Sequence, residues 1–118
     1  MRASLLVIGG VCAFAGMSQA QELTKANNTT ALNLAGSWVE NVVPAPADTL
    51  VWYSTLATAT NSNATMGAGF EVSGLRVDNP AADIRISGAT LTLTNGVGGI
   101  TVTNTRSLYI DTPVVTAA

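Results

Sequence analysis

Short apolar–polar–apolar triplets recur along the second half of the chain. Each triplet has the two-residue periodicity of a β-strand, which places its first and third side chains on one face. Asp, Asn, Gly, Ser and Pro, which favour turns, separate the triplets, and no helical periodicity accompanies them. The predicted strands are Leu75-Arg76-Val77, Ile84-Arg85-Ile86, Leu91-Thr92-Leu93, Ile100-Thr101-Val102 and Leu108-Tyr109-Ile110, followed by Val114-Val115.

The triplets also repeat over a longer distance. Gly74–Asn79 matches Gly99–Asn104, and Leu91 aligns with Val114. Three short strands and three turns in about 24 residues form one coil of a parallel β-helix. Successive coils stack about 4.8 Å apart through parallel ladder hydrogen bonds.

The pattern therefore predicts an all-β parallel β-helix (solenoid) of about two coils over 70–118, preceded by an aromatic N-terminal cap region over 35–69. The competing β architecture is an antiparallel meander or sandwich, for which Asn95-Gly96 is the one candidate hairpin turn. Asn79 and Asn104 fall at the same turn of successive coils and could stack as a ladder. The predicted inward side chains are aliphatic: Leu75, Val77, Ile84, Ile86, Leu91, Leu93, Ile100, Val102, Leu108 and Ile110.

The N-terminal part of the chain divides into a predicted targeting segment and a polar lead-in. Met1–Ala20 is typical of a secretory signal peptide, with Arg2, an apolar run and small residues before Gln21. An N-terminal membrane anchor, or lipidation at Cys12, is the alternative interpretation. Residues 21–34 are polar, and we predict a flexible lead-in there. After removal of the signal, no transmembrane span is expected.

The amino-acid composition excludes several classes of function. The chain has 118 residues, five basic and seven acidic, no histidine, and one cysteine that falls within the predicted signal. No basic patch is available for nucleic acid. Metal, cofactor and histidine-based catalytic sites lack their usual residues. We therefore expect no nucleic-acid partner, no cofactor, no metal site and no enzymatic activity.

Aromatic residues supply the candidate binding chemistry. Trp52, Tyr53 and Tyr109 could form a platform on which a sugar stacks. The structural alternative is that Trp38 and Trp52 plug the first coil as an apolar cap. Tyr109, predicted to face outward, would then be an ordinary surface residue.

Acidic residues offer a second candidate. Asp83 with Arg85 could act as in polysaccharide lyases that share the solenoid fold, where acids bind calcium and Arg or Lys is the base. The structural alternative is that Asp83 caps a turn and Arg85 is a solvated strand residue. The sequence Asp78-Asn79-Pro80 is typical of the start of a turn, so we interpret Asp78 as a turn residue rather than part of a metal-binding loop. No Asp triplet recurs, so the structural alternative is preferred.

The chain resembles exported proteins built from autotransporter-associated β-strand repeats. Trp38, Val43-Pro44 and Ala47–Val51 are similar to the module that often opens such proteins, and Phe70–Val77 with Ile84–Gly96 is similar to the repeat. The resemblance covers about Gly36–Val115. It implies a right-handed parallel β-helix passenger, secreted or displayed on a bacterial surface, without general catalytic residues.

These observations predict an exported, non-enzymatic structural or adhesive solenoid segment at or beyond the bacterial cell surface. A small carbohydrate-binding β domain, or a fragment of a β-helix carbohydrate-active enzyme, is the alternative. A solenoid usually needs three or more coils, and Ala117-Ala118 provides no polar cap. We therefore expect either the N-terminal portion of a longer product or self-association through an uncapped coil end.

Overall fold

The computed structural model describes residues 20–53, 63–94, 99–103 and 106–117. Within these ranges the chain forms ten short strands and one turn of 3-10 helix, Ala35–Ser37. Residues 1–19 of the predicted signal peptide Met1–Ala20, the candidate turn Asn95-Gly96 and the ladder position Asn104 lie outside the described residues. The strands are β1 (Glu22–Thr24), β2 (Thr49–Tyr53), β3 (Asn63–Thr65), β4 (Phe70–Val72), β5 (Gly74–Asp78), β6 (Ile84–Ser87), β7 (Leu91–Leu93), β8 (Gly99–Val102), β9 (Leu108–Ile110) and β10 (Val114–Thr116).

The strands form three parallel sheets. Sheet 1 has the order β1-β2-β5-β8, sheet 2 the order β3-β6-β9 and sheet 3 the order β4-β7-β10. Every strand pair in these sheets is parallel. The chain visits the sheets in rotation, so β2–β4 make coil 1, β5–β7 make coil 2 and β8–β10 make coil 3. The predicted parallel β-solenoid is confirmed, and the antiparallel alternative is wrong.

The predicted stacking register is also confirmed. Leu75 lies opposite Ile100 in sheet 1. In sheet 3, Leu91 lies opposite Val114. Each residue of a triplet therefore stands over its counterpart in the preceding coil, and side chains of similar shape stack within the tube. Asn79 adopts a φ of 56°, a left-handed conformation that Asn tolerates in turns.

The structure has three coils rather than about two, because the region predicted as cap contains β2 and β3, the first two strands of coil 1. The strand β2 pairs along its whole length with β5. The strand β3, Asn63–Thr65, lacks the apolar–polar–apolar pattern from which the other strands are predicted. Ala64 of β3 occupies the position that Ile86 holds in coil 2, and alanine is a poor strand former.

One cluster of buried apolar side chains extends from the cap through coils 1 and 2. Six of the ten predicted inward residues have at most 9% of their surface exposed. Phe70, Leu108 and Ile110 are half-buried against this core. The fully buried aliphatic members at the centre of the core are Leu50, Leu75, Val77, Ile84, Ile86 and Leu91.

Coil 3 departs from the predicted burial. Ile100 and Val102 stack over Leu75 and Val77. They nevertheless retain 43% and 41% of their surface exposed. An inward side chain is buried only when coils lie on both sides of it, and no described residue covers the far side of coil 3. The inward direction was correct, and the expectation of burial was wrong for this coil.

The opposite end of the stack is covered by residues 22–48. β1 pairs with β2 in parallel, and Lys25 forms an antiparallel bridge with Trp38. The backbone N–H of Leu32 donates to the carbonyl oxygen of Thr65 at the edge of sheet 2. Trp38, which is 2% exposed, packs over the first coil. The segment predicted as a flexible lead-in thus supplies an edge strand and the buried side chains Leu23 and Leu32.

Candidate binding surface

The outer face of sheet 1 carries a cluster of three paired side chains, Glu22, Tyr53 and Arg76, which we call the sheet 1 cluster. Strand alternation turns Arg76 outward because its neighbours Leu75 and Val77 face the core. Its guanidinium donates to both Glu22 carboxylate oxygens, at 2.6 and 3.0 Å, and to the Tyr53 hydroxyl at 2.5 Å. The same guanidinium lies 5.6 Å from the centre of the Tyr53 ring.

The charges of the sheet 1 cluster stabilise one another. The hydrogen bonds from Arg76 lower the pKa of the Glu22 carboxyl, against a smaller opposing effect of burial. The same contact raises the pKa of Arg76. Both side chains are substantially exposed, so solvent screens the pair and its contribution to stability is small. The cluster chiefly joins β1, β2 and β5 across the outside of the sheet.

Sheet 2 has a similar cluster of an arginine, a tyrosine and a carboxylate, formed by Arg85, Tyr109 and Asp111, which we call the sheet 2 cluster. Arg85 and Tyr109 occupy equivalent positions on adjacent strands. The guanidinium lies over the tyrosine ring, 4.6 Å from its centre. Arg85 also forms an ion pair with Asp111. Tyr109 is 43% exposed, so its ring remains accessible beside a delocalised cation.

The three predicted stacking residues do not form one platform. Trp52 lies in the core with no exposed surface, so the prediction of a ligand contact at this residue is wrong. The alternative interpretation holds, because Trp38 meets Trp52 edge to face with the ring centres 6.0 Å apart. Tyr53 is on sheet 1 and Tyr109 on sheet 2, each beside its own arginine.

Arg85, which the lyase-like interpretation combines with Asp83, forms an ion pair with Asp111. Instead, Asp83 accepts a hydrogen bond from the backbone N–H of Ser107 at 3.0 Å. This is the role in the structural alternative, a carboxylate that satisfies turn backbone. Asp78 similarly accepts from the Thr103 hydroxyl at 3.3 Å.

Asp48 is fully buried and organises the turn that precedes β2. Its carboxylate accepts hydrogen bonds from the backbone N–H groups of Ala45, at 2.9 Å, and Gln21, at 3.3 Å. Its own carbonyl oxygen accepts from the N–H of Ser73 in the next coil. The side chain thus joins the segment at Gln21 to the turn before β2, a structural role for this acid.

One charged residue escaped sequence analysis. Lys25 is 1% exposed, and its ammonium group donates to the carbonyl oxygens of Ala26 and Asn28 and to the Asn28 side-chain oxygen, at 3.0 to 3.1 Å. Burial lowers its pKa to about 8. No periodic signal marks this residue, because its surroundings come from the fold of the cap.

The sequence does contain a pattern that predicts part of the sheet 2 cluster. The same repeat that stacks the triplets places Arg85 directly beneath Tyr109. Applying that repeat to outward positions, as well as to inward ones, predicts an arginine stacked on a tyrosine. The partner Asp111 follows β9 directly and comes within reach of Arg85 only because the coils are stacked.

Among the described residues there is no group of three or more side chains arranged to hold a metal ion. In that same part of the chain, no helix has the length and apolar character needed to cross a bilayer. Comparison of the sequence with protein-family models, with curated proteins and with solved structures gave no match. The resemblance to autotransporter-associated repeat proteins therefore stays a prediction.

Proposed function

We propose that the chain is an exported, non-enzymatic structural segment: a stiff solenoid that presents a polar outer surface at or beyond the bacterial cell surface. The proposal rests on the partners to which the outward polar side chains form hydrogen bonds and ion pairs. They bond to the coil above or below rather than converging on a common centre. The sheet 1 and sheet 2 clusters are the clearest cases.

Smaller polar contacts follow the same rule. The Thr94 hydroxyl of coil 2 donates to the Glu71 carboxylate of coil 1 at 3.1 Å. The Thr112 hydroxyl donates to the carbonyl oxygen of Gly88, one coil earlier, at 2.8 Å. Each such bond resists sliding or separation of adjacent coils, which favours a scaffold over a catalytic cleft.

Support for export comes from the sequence of Met1–Ala20. When the full chain is expressed in a bacterium with a general secretion pathway, we expect a mature protein that begins at Gln21 and lies outside the cytoplasm. N-terminal sequencing and cell fractionation measure both properties. A Leu6→Arg variant, with a charge in the apolar run, should stay uncleaved in the cytoplasm.

Two results would overturn the export proposal. The first is an intact N-terminus at Met1 on protein recovered from the cytoplasm. The second is an equal distribution of the wild-type chain and the Leu6→Arg variant among the fractions, since export would then not depend on the signal.

Carbohydrate binding is a second candidate because Tyr109 combines an exposed ring with the neighbouring Arg85 guanidinium. If this candidate is correct, a glycan array will show selective binding that Tyr109→Ala reduces about tenfold or more. Val43→Ala is a matched control, since Val43 is exposed on the cap, away from sheet 2. Absence of selective binding, or equal binding by both variants, rejects this candidate.

A further inference from the structure

The outward positions of coil 3 differ in chemistry from those of coils 1 and 2. In sheet 3 the same outward position is Glu71 in coil 1, Thr92 in coil 2 and Val115 in coil 3. In sheet 1, Arg76 of coil 2 is followed by Thr101 of coil 3. Charged side chains on an edge strand prevent edge-to-edge pairing, and the strands of coil 3 have none.

Among the three coils, coil 3 is also the one whose apolar side chains are most exposed. Inward-facing Ile100, Val102 and Val114 retain 40–43% of their surface, and outward-facing Tyr109 and Val115 retain 43% and 46%. All five belong to the strands of coil 3, and exposed apolar residues grouped in one part of a surface mark interaction sites on soluble proteins. The patch coincides with the strand edges of β8, β9 and β10, which no described strand covers.

We propose that coil 3 is a homodimer interface, in which a second copy of this chain adds its own coil 3 by antiparallel strand pairing. A twofold axis perpendicular to the stack reverses the direction of winding, so strands of the two copies meet antiparallel. With the axis through β8, this strand pairs with its own copy, and β9 pairs with β10 of the other copy. This proposal goes beyond the scaffold function and does not depend on export.

Strand length and side-chain alternation fit this arrangement. β9 and β10 are both three residues long. Antiparallel pairing centred on Tyr109 and Val115 sets these two exposed side chains beside each other on the outer face. Leu108 and Ile110 then meet Thr116 and Val114 of the other copy on the inner face. Pairs of an aromatic with a β-branched residue are favourable across antiparallel strands.

β8 fits against itself in the same way. When Thr101 lies opposite Thr101 of the second copy, Ile100 lies opposite Val102, so both inward residues remain on the core side. The two Thr101 hydroxyl groups can form a hydrogen bond with each other, so the polar side chains on the outer face of the pair keep a hydrogen-bond partner. The twofold arrangement thus continues the common core of one copy into that of the other.

Association should stop at two copies because the opposite end of the stack is covered. β1 occupies the edge of β2 in sheet 1. Leu32 and Asn33 donate backbone hydrogen bonds to Thr65 and Met66 at the edge of sheet 2. A head-to-tail stack would have to displace these segments. The geometry points to a closed dimer rather than a fibre.

Sedimentation equilibrium of the purified protein over a range of concentrations tests the proposal. We expect a monomer–dimer equilibrium, with a dissociation constant that Val115→Lys raises about tenfold or more, because the lysine would be desolvated at the interface. Val43→Lys is the matched control, because Val43 is an exposed valine on the cap (55% exposed, against 46% for Val115), and it should leave the equilibrium unchanged. Circular dichroism and thermal melting establish that both variants are folded.

A Thr101→Cys variant provides a second, independent readout. It should form a covalent dimer with a short thiol-to-thiol cross-linker, while the unsubstituted chain, whose one cysteine is Cys12, should not. Three results would overturn the proposal: a monomer at every concentration, equal weakening by both lysine variants, or open-ended polymers that grow with concentration. Failure of Thr101→Cys to cross-link in a proven dimer would overturn the twofold register.

Discussion

Replacement of Trp52 by alanine is expected to lower the free energy of unfolding by about 3–5 kcal/mol, as for other large aromatic side chains deleted from a core. Trp52 is fully buried. Its edge-to-face contact with Trp38 joins coil 1 to the cap. The loss therefore affects two parts of the fold at once, and a single domain of this size has only about 5–15 kcal/mol in total.

Urea unfolding followed by circular dichroism measures this loss without relying on tryptophan fluorescence. Trp52→Phe is the matched control, because it keeps an aromatic ring and removes the indole N–H. The N–H has no hydrogen-bond partner. The smaller ring leaves a cavity, but the unsatisfied donor is gone, so we expect a loss of less than about 2 kcal/mol. Equal stability of Trp52→Ala and wild type would contradict the central position of this residue.

The unfolding free energy of the wild-type protein is expected to rise between pH 8 and pH 10.5 relative to that of a Lys25→Met variant, by about 2–3 kcal/mol. The pKa of Lys25 is about 8 in the folded protein, against 10.5 for an ordinary lysine. Between these values the unfolded chain binds more protons than the folded one, so stability increases with pH. Below pH 8 both states are protonated, and the folded state carries the full cost of the buried charge.

Comparison with Lys25→Met isolates this effect, because contributions from other titrating groups are common to both proteins and cancel in the difference. Methionine keeps the length and apolar stem of lysine and removes the ammonium group. Denaturant unfolding at pH 7, 8, 9 and 10 supplies the curves. Parallel curves for the two proteins would show that Lys25 titrates at its ordinary pKa and is not buried as described.

Both predictions concern the N-terminal end of the stack, Lys25 in the cap and Trp52 in coil 1, where sequence analysis was weakest. The segment 21–34 has a polar composition, which is typical of a flexible lead-in. In the structure its edge strand β1 and the side chain of Leu32 cover coil 1. A polar segment can be ordered when its backbone donors bond to an exposed strand edge, and the composition of the segment does not report on that edge.

Coil 3 shows the converse case. The alternation that turns Ile100 and Val102 inward is a local property of the chain, and it was predicted correctly. Their exposure depends on whether another layer covers them, which is a property of the assembly of coils. Periodicity in the sequence therefore predicts the direction in which a side chain points. Its burial additionally requires a coil on each side of it.

The sequence by itself determined the all-β class, the forward winding and the stacking register of coils 2 and 3, because strand alternation and the spacing of matching triplets follow from local geometry. Only the tertiary structure decided that coil 1 exists around Ala64, that Trp52 lies in the core and that Lys25 is buried. These features depend on contacts between segments far apart in the chain, and such contacts leave no periodic pattern in either segment alone.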